Sequence, residues 1–63
     1  MVGKVTCIYY VGEHQYKDWT TAIHFARLYR KNCIIEKRVD EKGNMTSKKH
    51  TLINGVVTGV EKL

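Results

Sequence analysis

Hydrophobic and polar positions alternate with two periods along this chain, and the changes of period mark its elements. From Asp18 to Lys31 the spacing is helical. Residues of an α-helix advance about 100° each, so positions three and four apart share a face. Trp19, Ala22, Ile23, Ala26 and Tyr29 form one apolar stripe, widened by Phe25 and Leu28, while Thr20, His24, Arg27 and Lys31 take the opposite side. The pattern predicts an amphipathic helix over 19–31 with its apolar face on a core. Asp18 is placed to cap the first turn, Arg30 and Lys31 suit the negative helix end, and Asn32 can stop the helix in a left-handed conformation.

On both sides the period drops to two. Lys4 to Val11 alternates Val5, Cys7, Tyr9 and Val11 with Lys4, Thr6, Ile8 and Tyr10, which predicts a strand whose first set faces the core. Gly12-Glu13 suits a type II′ turn into a short strand from His14 to Lys17. Cys33 to Val39 is a third strand, and Asp40 to Gly43 a turn with a bulge at the glycine. Met45 to Lys49 is almost wholly polar, so this hairpin is expected to project beyond the core. Asn54-Gly55 between apolar residues predicts a type I′ hairpin into a last strand, Val56 to Glu61, which Gly59 weakens or bulges. The whole is one α+β domain, residues 1–63, in the order β-β-α-β-β-β. A single antiparallel sheet carries one amphipathic helix packed on one face. Trp19, Ile23 and Ala26 are expected to bury against Val5, Cys7 and Ile35.

Composition narrows the class. An apolar content of 43%, with one Trp, four Tyr and one Phe, is that of a globular chain. At 63 residues it buries only about 60% of its unfolded surface, so its stability is small. No apolar run approaches the ~20 residues of a membrane span. The opening Met1-Val-Gly-Lys-Val-Thr6 lacks the apolar core of a signal peptide. The expectation is a cytoplasmic protein without a membrane partner, whose two cysteines, Cys7 and Cys33, stay as thiols.

The run Tyr9-Tyr-Val-Gly12, Tyr16, Trp19 and Ala22-Ile-His-Phe-Ala26, followed by Cys33-Ile-Ile-Glu-Lys37, resembles short uncharacterised proteins of bacterial phages and prophages over the first two thirds of the chain. That resemblance implies a small binder of host machinery. It carries over no functional residue.

Charge supplies the candidate chemistry. Eleven Lys and Arg against six Asp and Glu give a formal charge of +5. Such a field favours a polyanion or an acidic protein and speeds encounter with it. One group of candidates is the helix stripe of His24, Arg27 and Lys31. The other is the hairpin arm of Lys37, Arg38, Lys42, Lys48, Lys49 and His50, where a two-stranded ribbon can enter a major groove. Glu36, Asp40 and Glu41 interrupt that hairpin. The competing reading is a solvated surface kept basic for solubility. Tyr10 opposes the better core face of its strand and is the candidate exposed aromatic contact, for a base or for a second copy of the chain, the alternative being the second buried face of a central strand.

The other chemistries have no constellation. Cys7, His14, His24, Cys33 and His50 are scattered singly, so no metal site is expected. Ser47 is the one serine and has no base in prospect. No glycine-rich loop opens the helix. The sequence therefore reads as a non-enzymatic binding module without a cofactor, its partner most simply nucleic acid. An inhibitor or adaptor docking on a host protein, and a small homodimeric structural protein, are the alternatives.

Overall fold

A computed structural model describes residues 4–63. Met1, Val2 and Gly3, the start of the segment read above as no signal peptide, lie outside the described residues. Five strands form one antiparallel sheet: β1 (Thr6–Val11), β2 (His14–Tyr16), β3 (Cys33–Val39), β4 (Met45–Ile53) and β5 (Val56–Lys62). Their order across the sheet is β2-β1-β3-β4-β5. The helix α1 (Trp19–Leu28) packs on one face, which makes the fold α+β.

The helix begins where the cap residue predicts. Asp18 is extended, at φ −130° and ψ 152°, and its carboxylate accepts from the Thr21 amide at 3.1 Å and from the Thr21 hydroxyl. These bonds from Thr21, the hydroxyl first, hold the Asp18 carboxyl below the usual carboxylate range. The helix ends earlier than its apolar stripe implies. It stops at Leu28 in a Schellman motif: the Lys31 amide donates to the Ala26 carbonyl at 2.8 Å and the Arg30 amide to the Arg27 carbonyl at 3.3 Å. The left-handed residue of that motif is Arg30, at φ 56°, and not Asn32. Leu28 and Tyr29, both in the predicted stripe, are consequently 59% and 48% exposed.

The core lies between the helix and one end of the sheet. Val11, Ala22, Ala26, Ile34 and Leu52 are buried, with Tyr9, Tyr16, Trp19, Ile23 and Val57 packed against them. Two alanines on the helix let its backbone come close to the strands. Residues directly opposite each other in an antiparallel pair share a face. The register Tyr9↔Glu36, Ile34↔His50 and Leu52↔Val57 therefore defines the helix side of the sheet. This corrects the expectation for β3, where Ile34 and not Ile35 enters the core. Ile35 lies opposite Tyr10 and Lys49 on the open face. Val5 is also outside the core, 48% exposed.

Ile34 brings Glu36 to the helix side with it. That carboxylate is accommodated in a polar seam: His50 Nε2 lies 2.9 Å from Glu36 Oε1, and the Cys7 thiol points at Glu36 Oε2 at 3.9 Å. Trp19 roofs the seam, its ring 4.7 Å from His50 and edge-on to Tyr9 at 5.5 Å. Burial, the Cys7 contact and the Glu36 charge push the Tyr9 phenol up to about 12 from an ordinary 10.0. Above pH 10 the unfolded chain releases this proton while the folded chain keeps it. Stability should thus be insensitive to Tyr9 below pH 10 and fall between about pH 10 and 12. Phenolate absorbance should show one of the four tyrosines ionising last, together with unfolding. Ionisation of all four below pH 11 would contradict the seam.

The hairpin turns follow their sequences. Gly12 has φ +60° with no positive φ at Glu13, as a type II′ turn requires, and Asn54 and Gly55 at +53° and +78° make the type I′ turn. Asp40 orders its turn by accepting from the Lys42 and Asn44 amides, with Gly43 at φ +84°. The β4–β5 register shifts between Thr51 and Leu52, beside Gly59. One expectation about the β3–β4 hairpin changes. The molecule is elongated, 42 × 20 × 17 Å, but the far end is not a free two-stranded ribbon. Thr6 of β1 pairs with Val39 and Lys62 of β5 with Lys48, so neighbouring strands flank both sides of the hairpin. What projects is a four-stranded blade, beyond the reach of a ten-residue helix of about 15 Å. Cys7 and Cys33 are free thiols on opposite faces of the sheet.

Candidate anion interface

Of the nine basic residues singled out above, seven fall on three surfaces. Lys42 lies in the Asp40 turn, and His50 is turned into the seam against Glu36 and is no part of a basic surface. Lys37 and Lys49 stand on the open face of the sheet, where the Lys37 ammonium lies over the Tyr10 ring at 5.1 Å. Tyr10 is half-buried there between Ile35 and Gln15. Arg38 and Lys48 stand on the helix side of the blade, beyond the helix. Lys62, which the sequence reading passed over, sits directly opposite Lys48. Like charges so paired repel each other unless an anion lies between them. His24 and Arg27 are exposed on the outer surface of the helix, and Lys31 follows its end.

The strongest grouping is at the helix C-terminus, where two hairpin turns meet it. Arg27 lies across the Asn54-Gly55 turn, its Nε–H donating to the Gly55 carbonyl at 2.8 Å. A Cβ on Gly55 would meet Arg27 Cγ at 3.0 Å, so glycine is needed for this approach as well as for the turn. The bond uses only Nε, leaving the terminal N–H groups of a fixed guanidinium free. Lys31 lies across the other turn: a Cβ on Gly12 would sit 3.3 Å from its Cε. Between these two arms opens a cleft of about 510 Å³ lined by Arg27, Arg30, Lys31, Asn32, Asn54 and Gly55. It contains three cations, two side-chain amides and no carboxylate. The helix end contributes about half a negative charge, which three full positive charges outweigh.

Arg30 is the unexpected member. A side chain in the left-handed region costs about 1–2 kcal/mol, and helices usually place glycine there. The hydrogen-bonded turn imposes that conformation and places Arg30 on the cleft wall. Arg30, Asn54 and Gly55 were not singled out from the sequence as binding residues. The signal available was a helix that ends in Tyr-Arg-Lys-Asn with no glycine to stop it.

Lys31 also borders a second cleft, of about 370 Å³, shared with Gly12, Glu13, His14 and Tyr29. Aromatic rings line this side of the molecule in succession. Tyr16 stacks on Phe25 at 5.1 Å and 7°, Phe25 on Tyr29 at 5.8 Å and 21°, and Tyr29 on His14 at 6.1 Å and 26°. Tyr16 and Phe25 are half-buried, whereas Tyr29 and His14 are exposed.

Electrostatic bookkeeping separates these cations from ordinary surface pairs. Among the described residues the one ion pair is His50–Glu36, and no Lys or Arg lies within 4.0 Å of a carboxylate oxygen. Among the same residues no three His, Cys, Asp or Glu side chains gather as metal ligands would, and no helix is long and apolar enough to cross a membrane. Compared with protein-family models, with curated proteins and with solved structures, the chain matches none of them.

Proposed function

We propose that this protein is a non-enzymatic module that binds nucleic acid through its basic surface. The observation that carries the reading is that the eleven Lys and Arg, all among the described residues, have no carboxylate oxygen of those residues within 4.0 Å in a chain of net charge +5. Cations without carboxylate partners are available to phosphates, and each phosphate contact releases condensed counterions. The experiment is fluorescence anisotropy with labelled DNA and RNA across a salt series. Affinity should fall linearly with salt on logarithmic axes, the slope counting the phosphates engaged. No binding at the lowest salt eliminates the reading and leaves a protein-binding module of the kind the phage-like pattern implies, detected as a complex that survives nuclease.

A second reading has its own observation. The chain exposes 4938 Å², against about 4,200 Å² for a compact monomer of its mass. The excess belongs to its elongated shape, 42 × 20 × 17 Å, and the reading rests on the open face. The open sheet face, with Ile8, Tyr10, Ile35 and the 64%-exposed Met45, supports a homodimer through that face. Light scattering should then give twice the 7.3 kDa chain mass, and Tyr10→Glu should return it to one.

A further inference from the structure

We infer that the helix C-terminal end is a site for single-stranded nucleic acid, with the backbone in the Arg27–Arg30–Lys31 cleft and a base stacked on Tyr29. The inference rests on the nucleic-acid reading above and narrows it to one strand type and one place. Three observations meet there. The first is the acid-free cleft, whose two outer cations lie over glycines of two different turns. The second is Arg30 in a left-handed conformation on its wall; backbone strain that the fold tolerates gathers where a side chain is needed for binding. The third is the closed set of four aromatic rings, Tyr16, Phe25, Tyr29 and His14, of which Tyr29 and His14 are exposed and border the adjoining cleft.

Lys31 belongs to both clefts, so phosphate and base positions are neighbours along one strand. Binding of single strands combines a positive groove that follows the backbone with aromatic faces on which unpaired bases stack. In a duplex those base faces are already covered by their neighbours, so Tyr29 has nothing to stack on. Glu13 is the one carboxylate bordering the second cleft. It faces the base side and not the three-cation wall. The blade cations Arg38, Lys48 and Lys62 remain as a sequence-independent second contact.

The test uses the whole chain with fluorescein-labelled oligothymidylate and oligouridylate of about 16 nucleotides, the upper size that one small fold covers, and a DNA hairpin duplex. Tighter binding of either single strand than of the duplex supports the proposal. Tyr29→Ala should weaken single-strand binding about five- to a hundredfold, the loss of one stacked base, and leave duplex binding unchanged. Tyr29→Phe should bind like the parent. Tyr29→Leu, which keeps apolar bulk but no π face, should bind like Tyr29→Ala and guards against a loss caused by unfolding. Arg30→Gly relieves the left-handed strain, so it should melt about 4 °C higher and yet bind more weakly. Equal binding of all three probes, with Tyr29→Ala and Arg30→Gly indifferent, overturns the single-strand site while the polyanion reading stands. Failure of every probe to bind at low salt overturns both.

Discussion

Replacing Ile34 with alanine should cost about 2–5 kcal/mol, and replacing its neighbour Ile35 only about 1 kcal/mol. The first removes three heavy atoms from a side chain with no solvent exposure, packed among Val11, Ala22, Ala26 and Leu52. The cavity cannot close, because the surrounding alanines have no side chain with which to fill it. The second trims a half-buried residue on the open face, beside Tyr10 and Lys49. A chain of this length has roughly 3–9 kcal/mol of stability in all, so Ile34→Ala removes a large part of that margin and Ile35→Ala a small one. Urea titration followed by circular dichroism measures both. Equal losses would mean that β3 is not held in the described register, since a one-residue slip exchanges its two faces.

The second large effect is on binding. Charge reversal of Arg27 and Lys48 together should flatten the salt dependence by about two units and abolish binding at physiological salt. The two lie at opposite ends of the helix side, one fixed over the Gly55 turn and the other opposite Lys62. Both are exposed, so the circular dichroism spectrum of the variant should match that of the parent. Reversal of Lys37 and Lys49, on the open face with Tyr10, should weaken binding less. The larger loss in the open-face pair would transfer the interface to the other side of the sheet, where the homodimer reading also lies.

Much of the architecture was legible in the chain because it is coded by neighbours. The period of three to four from Trp19 onward, the period of two in β1, the Asp18 cap and the glycines at 12, 43 and 55 each act within a few residues. Each predicted its element or its turn. What local pattern left open is which face of a two-sided strand is buried. Cys33-Ile-Ile-Glu-Lys has an isoleucine on each side, and the side shared with Glu36 looks the more polar. The partners that make Glu36 tolerable, His50 and Cys7, are fourteen and twenty-nine residues away, and only strand pairing brings them near. The helix end was misplaced for a related reason. Apolar spacing continues through Leu28 and Tyr29, but Leu28 is exposed and Tyr29 meets only the edge strand at His14, and the chain must turn there to enter β3.

The basic residues show the same division. Their number and sign belong to the sequence, and so does the expectation of an anionic partner. Their grouping does not. Arg27, Arg30 and Lys31 become one surface because the hairpin turns at Gly12 and Gly55, far apart in the chain, close on the same helix end. Arg38 and Lys48, by contrast, part from Lys37 and Lys49 because adjacent strand residues point to opposite faces. Charge is a sum over residues and survives any folding. A site is a set of distances, and these exist only once the strands have paired.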